Sequence, residues 1–273
     1  MFSPILGLKA STAAQQVTDR LQHQPQVVEF FLTPEDFTAA GWANLEAQVA
    51  RVQASGARIV FHHPMRYQDK RNELCVNQAL HPAQYAFVMT TARRLITLSK
   101  QVDGLTLVHG GYNQKGYDFI GDWPNLAQAQ AVVLGRMCEL NAEAAGHVVF
   151  ENSISPICAF GDAAMEAQLL ALGLPLAYDI SHAFIYLHGD NDALVASLKH
   201  LAPLVRHYHL VDSMGQTHDS LSLGQGRIDW ARVLPVLNPR ASSIYEINLS
   251  DQSDCREMLA SHAYLKQMAQ GFS

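Results

Sequence analysis

A chain of 273 residues, 48% of them hydrophobic, can build one large domain with a sizeable core, or two small ones. Its net charge of −6, with histidine counted neutral, supplies no global basic field and so argues against a nucleic-acid partner. The four cysteines are scattered with no C-x-x-C, which argues against a disulfide framework or a thiolate zinc site. MFSPILGLKAST lacks the pattern of a signal peptide, and no run reaches the ~18–20 apolar residues of a membrane span, so the expected location is the cytoplasm.

In chain order, short β-branched or aromatic runs alternate with longer helical stretches. Strands are predicted at PILGLKA (4–10), VVEFFL (27–32), RIVFHH (58–63) and LTLVHG (105–110). Four more follow at HVVFEN (147–152), PLAYDI (175–180), RHYHLVD (206–212) and SIYEIN (243–248). Helices are predicted at 11–24, 43–56, 82–101, 125–146, 162–173, 192–201, 229–237 and 255–268. Ser11 reads as an N-cap, and Gly56, Gly146 and Gly173 as helix terminators before strands. The strands are near-continuous apolar runs, which suits a parallel sheet covered on both faces. Eight strand-then-helix units are the count of a TIM barrel. The competing doubly wound sheet would carry a glycine-rich turn after its first strand, and KASTAAQQ has none. No linker divides the chain, so the expected architecture is a single α/β domain over 1–273, a (β/α)8 TIM barrel.

Active sites of TIM barrels lie at the C-terminal ends of the strands. The polar residues expected there are Glu29 from strand two, His62 and His63 from strand three, and His109 from strand four. Glu151 and Asn152 end strand five, and Asp179 with His182 ends strand six. Strand seven gives His209 and Asp212, with His218 in the loop beyond, and strand eight carries Glu246. A histidine at a strand end is ordinarily a hydrogen-bonded rim residue. A glutamate within an apolar strand is harder to place, because burying an ionised carboxylate costs roughly several kcal/mol unless something pairs with it. The only basic residue expected near these strands is Arg206, at the wrong end of strand seven, which leaves a divalent cation as the partner of Glu151 and Glu246. Two glutamates, an aspartate and a histidine suit Mn²⁺, Mg²⁺, Co²⁺ or Zn²⁺. The competing reading is a structural polar network across the barrel mouth.

The stretches VVEF, FHHP, VHGG, FENS, YDISH, YEIN and, above all, HLVDSMGQTHDSLSLGQGRIDW carry a resemblance to a known family. They resemble the xylose isomerase-like TIM barrel superfamily, which holds sugar and sugar-phosphate isomerases and epimerases together with the type IV apurinic endonucleases. The resemblance runs over nearly the whole chain in the right order. It implies that Glu151, Asp179, His209 and Glu246 bind one divalent metal ion, with Glu151 and Glu246 doubling as catalytic acid/base groups. It also implies that His182 contacts substrate near the metal and that Glu29, His62 and His109 line the pocket. His218 is a further substrate-binding candidate. The chain departs from the endonuclease branch, which binds three zinc ions. That branch's Asp-x-His before Leu-Gly-x-Gly is here His218-Asp219-Ser220, and Asn113 stands where another zinc histidine is expected. The four-ligand set is untouched.

The resulting expectation is a divalent-metal-dependent isomerase or epimerase acting on a small sugar, polyol or hydroxy-keto acid through an enediolate. Its partner would be a small carbohydrate-like molecule, with neither nucleic acid nor membrane, and its homo-oligomeric state is open. Alternatives on the same site are dehydration of an inosose-like keto-polyol and metal-assisted hydrolysis, for which His62, His182 and His218 offer a second metal position. A non-catalytic member that binds a metabolite is the third. Arg227 and the glycines after strand seven form either an anion site for a phosphorylated substrate or a simple turn.

Overall fold

All eight expected strands form. In the computed structural model, which describes residues 2–68, 70–111 and 119–271, they are β1 (Gly7–Ala10), β2 (Val27–Phe31), β3 (Arg58–His62), β4 (Leu105–His109), β5 (Val148–Glu151), β6 (Leu176–Asp179), β7 (Val205–Leu210) and β8 (Ser242–Tyr245). They pair in parallel in chain order, so every connection must cross back over the outside of the sheet. The crossings are made by α1 (Ala14–Gln22), α2 (Ala39–Ser55), α3 (Pro82–Val102), α4 (Leu126–Ala144), α5 (Ala163–Leu172), α6 (Ile180–Tyr186), α7 (Asn191–Leu201) and α8 (Trp230–Val233). The last helix, α9 (Arg256–Gln270), follows β8. The fold is a (β/α)8 TIM barrel.

The barrel interior is ordered by the two-residue period of the strands. Val27, Val60, Leu107, Val149, Ala177 and Ile244 form an apolar cluster of their own, separate from the two cores between sheet and helices. Two positions further along each of these strands stands a polar residue on the same face: Glu29, His62, His109, Glu151, Asp179 and Glu246. His209 follows His207 in the same way on β7, and Lys9 follows Gly7 on β1. The strands thus carry an apolar plug below and a polar layer above it, at their C-terminal ends.

The seam of the ring depends on Gly7. A Cβ there would collide with the main-chain oxygen of Ser243 on β8, so only glycine lets β1 lie this close. The approach brings Lys9 alongside Glu246, a neighbour that the sequence reading did not supply.

Local signals explain most helix ends. Thr38 accepts from Gly41 N–H at the start of α2, and Asp162 accepts from Met165 N–H at the start of α5. Gly56 and Gly173 close the same helices with φ of 81° and 64°. Ser11 is not the N-cap of α1. The helix starts at Ala14, and Ser11 Oγ instead accepts from Ala13 N–H at 3.2 Å, closing a turn before the helix begins. Besides short 3-10 turns at Pro34–Phe37, Phe119–Asp122 and Pro156–Cys158, two elements among the described residues were not foreseen. A two-residue antiparallel pair, Arg66–Tyr67 with Lys70–Arg71, follows β3. The apolar run after β6, to which no element is assigned in the sequence beyond Ile180, is the helix α6. Cys75, Cys158 and Cys255 are buried thiols and Cys138 is partly buried. No helix among the described residues is long and apolar enough to cross a membrane.

The seam can be tested against a control inside α4. Gly7→Ala should lower the unfolding free energy by about 1–3 kcal/mol through overpacking. Gly135→Ala, whose added methyl meets nothing, should raise it by about 0.5–1 kcal/mol. Equal effects in a urea titration would show that β1 does not close on β8 as described.

Candidate metal centre

Glu151, Asp179, His209 and Glu246, the four expected ligands, converge. One ligand atom from each lies within 4.8 Å of the others, and all but Glu246 are fully buried. His209 Nδ1 is 3.3 Å from Glu151 Oε1 and 3.8 Å from Asp179 Oδ2, and it also pairs with Glu246 Oε2. The two oxygens of Asp179 are used differently. Oδ1 caps α6, accepting from His182 N–H at 2.7 Å and Ser181 Oγ at 2.9 Å. Oδ2 is buried without a hydrogen bond among the described residues and faces the cluster. The three-residue spacing of Asp179 and His182 is therefore the spacing of an N-cap, with the spare oxygen left for a ligand. Asn152 fixes the Asp179 backbone from β5, accepting from Asp179 N–H at 2.7 Å and donating to its carbonyl at 3.0 Å.

These residues fit a divalent cation. Three carboxylates and an imidazole meet in a largely buried space, and both oxygens of Glu151 face only imidazole nitrogens, at 2.8–3.6 Å. Burial pushes the Asp179 carboxyl up, and the charges of Glu151 and Glu246 push it further, to about 7. Burial opposes a charge on His209, yet Glu246, Glu29 and Glu151 raise its pKa well above the usual histidine value. Glu151 is held well below the usual carboxylate range, since His109 and His209 outweigh its burial. The carboxylates thus favour the charged form of His209, which offsets part of their own charge.

Glu29 is not at the opening. It is 0% exposed and stands behind His209, accepting from His209 Nε2 at 3.0 Å and from His207 Nε2 at 3.1 Å. That contact turns His209 Nδ1 toward the cluster, as a carboxylate behind a metal-binding histidine does. Burial raises the Glu29 carboxyl, but the two histidines overcome this and hold it below the usual range. His207 was missed in the sequence, although the alternation in RHYHL places it on the same face as His209.

Around Glu151, besides His209, lie three histidines. His109 Nε2 is 2.8 Å and His62 Nε2 3.6 Å from Glu151 Oε2, and His182 Nδ1 is 3.4 Å from Oε1. The ligand atoms of His62, His109 and Glu151 form a second group close enough to hold an ion. Burial lowers the pKa values of His109 and His182 even with Glu151 beside them, which favours the neutral, ligating form. His218 is exposed at the mouth, its ring centre 5.0 Å from that of His182. His63 points outward and bonds Thr91 on α3 at 2.6 Å. Asn113 lies outside the described residues.

Asp212 is structural. It accepts from the N–H groups of Ser213, Gly224 and Ile228 and from the Trp230 indole, at 2.8–3.2 Å. The loop after β7 is folded around it, and Arg227 is exposed on that loop. A cavity of about 230 Å³ opens beside the cluster, lined by Lys9, Phe31, Met65, His218, Ser220 and Glu246 among others. The expectation that no basic residue reaches the buried glutamates is corrected here. Lys9 Nζ donates to Glu246 Oε1, because the seam sets β1 against β8.

Residues 26–260 match the xylose isomerase-like TIM barrel family. The chain belongs to that family. Among solved structures, a D-tagatose 3-epimerase-like protein superposes with a TM-score of 0.70 at 17% identity, covering 97% of each chain. The TTHB071 protein from Thermus thermophilus, soaked with ZnCl2, gives 0.69 at 18% identity over 97% of this chain and 98% of that one. The 3-keto-D-glucoside 4-epimerase YcjR from E. coli gives 0.67 at 13% identity over 97% and 100%. At such identities the likeness is one of fold. No curated protein matches the sequence significantly.

The shifted groups make a pH prediction. An ion binding here must displace the proton of His209 and, below about 7, that of Asp179. Zn²⁺ binding at pH 6 should release about two protons, and affinity should rise from pH 6 to 8. Calorimetry in buffers of different ionisation enthalpy that finds no proton release would show that these groups do not ligate.

Proposed function

We propose that the protein is a divalent-metal-dependent epimerase or isomerase of a small sugar, polyol or hydroxy-keto acid, working through an enediolate of the substrate. The observation that carries this reading is the four-residue cluster of Glu151, Asp179, His209 and Glu246, with both glutamates at the reacting end of the barrel. The solved structures named above include sugar epimerases, which favours the same chemistry. A divalent ion held by these four residues would polarise neighbouring carbonyl and hydroxyl oxygens of the substrate and acidify the C–H between them.

The chain's own groups supply the rest. Glu246, whose side chain is 19% exposed, lines the cavity and can take that proton. Glu151, three strands away in the ring, returns it to the other face, or Glu246 returns it to the neighbouring carbon on the same face. His218 stands at the mouth with the buried His182 beside it, where substrate hydroxyls would meet them. Glu29 keeps His209 oriented through the cycle. The oily wall of Phe31 and Met65 limits water beside the proton-transfer path.

The test is deuterium wash-in. Protein loaded with Mn²⁺ or Co²⁺ in D2O should exchange a carbon-bound proton of at least one of D-tagatose, D-fructose, D-psicose or L-ribulose, or of a hydroxy-keto acid. Glu151→Gln and Glu246→Gln should each slow that exchange by about 10²-fold or more. Exchange that persists in both variants would remove the acid/base assignment.

The His62, His109 and Glu151 group favours a second reading, in which two ions share Glu151 and the site performs hydrolysis or dehydration. His62→Ala separates the two. A mononuclear epimerase should keep activity within about tenfold of wild type, whereas a dinuclear hydrolase should lose nearly all of it.

A further inference from the structure

The seam between β1 and β8 places a cation against one of the candidate metal ligands. Lys9 points into the barrel two positions after Gly7, and its Nζ donates to Glu246 Oε1 while standing 5.5 Å from the centre of the Phe31 ring. The strand is held from outside by Arg20, itself buried, which donates from Nε to the Lys9 carbonyl at 3.1 Å and from a terminal nitrogen to the Gln252 carbonyl at 3.0 Å. The Lys9 side chain is only 14% exposed, so the carboxylate is its main source of compensation. Glu246 is thereby divided between two partners, Oε1 on Lys9 and Oε2 on His209. Glu151 differs: its ion-pair partners are all imidazoles, those of His62, His109, His182 and His209.

Resting on the metal-dependent reading above, we propose that Lys9 is a positioning residue for Glu246. It holds Oε1, so that only Oε2 reaches the ion, and it weakens the ion's binding while keeping a coordination position open for substrate. A carboxylate can bind an ion through one oxygen or both. An ammonium fixed on one of them removes the second mode. It also sets a like charge within a few ångströms of a divalent ion, in surroundings where that repulsion is screened far less than in water. Removing Lys9 should therefore tighten metal binding and spoil turnover together. A residue that merely supported the barrel would weaken both.

The experiment measures Mn²⁺ affinity, and the number of exchangeable waters on bound Mn²⁺ by proton relaxation, in wild type, Lys9→Met, Lys9→Gln and Lys9→Arg. Thermal melts confirm that each variant is folded, and Lys9→Gln keeps a neutral comparison should Lys9→Met destabilise the seam. Both neutral variants should bind Mn²⁺ roughly tenfold tighter or more, with fewer waters on the ion, while Lys9→Arg stays near wild type. Deuterium wash-in should slow in the neutral variants through kcat more than through KM. Neutral variants that bind Mn²⁺ no tighter than wild type, or a Lys9→Arg that behaves like Lys9→Met, would overturn the proposal. Wild type that binds Mn²⁺ but exchanges no substrate would count against the epimerase reading alone, and the affinities would still decide the role of Lys9. Wild type that binds no divalent ion would remove both.

Discussion

The structure is organised by the need to compensate carboxylates buried inside a barrel. Glu29, Glu151 and Asp179 are lost to solvent and Glu246 nearly so, and each would be expensive to ionise there alone. The compensation is supplied by side chains from every part of the ring. Histidines from β3, β4 and β7 surround Glu151, two histidines of β7 share Glu29, and Lys9 of β1 takes Glu246. At the centre, the Asp179 oxygen that does not cap α6 makes no hydrogen bond among the described residues and lies 3.8 Å from His209 Nδ1, with Glu151 Oε1 3.3 Å from the same nitrogen. Carboxylate oxygens gathered around one imidazole nitrogen in this way fit a cation. The pKa values follow from the same geometry: the neighbouring carboxylates raise His209 well above the usual histidine value, and burial, with Glu151 and Glu246, drives Asp179 up to about 7.

The convergence itself costs the sequence little. A strand with an apolar residue at one position and a polar one two positions later sets a layer of hydrophobic filling under a layer of functional groups, and eight such strands make a ring of both. The loop after β7 then shapes the rim. Asp212 gathers four donors, and Gly226 is required because a Cβ there would strike its carboxylate. The stretch that most resembles the family is thus largely a structural clamp, and it delivers His218 and Ser220 to the cavity edge.

Much of this was legible in the residues. The strands were readable because each is a short apolar run between helical stretches, and the four converging residues because a glutamate in such a run needs a reason. The losses have physical causes. The helix α6 was hidden because ISHAFIY is too short and too apolar to show helical periodicity, although Asp179 three residues before His182 was its cap. Lys9 was overlooked because the barrel's closure makes strand one the neighbour of strand eight, a contact between residues 237 positions apart. Glu29 was assigned to the pocket when its depth in β2 sets it behind His209. In each case the local pattern was present and the long-range placement was not.

Whether this cluster holds a metal ion is tested most directly by elemental analysis of protein purified without chelator. Wild type should carry about one divalent transition metal per chain, and a Glu151→Gln, Glu246→Gln double variant should carry essentially none. A wild type that stays empty when offered Mn²⁺ or Zn²⁺, or a double variant that keeps its metal, would show that the buried carboxylates form a structural network instead.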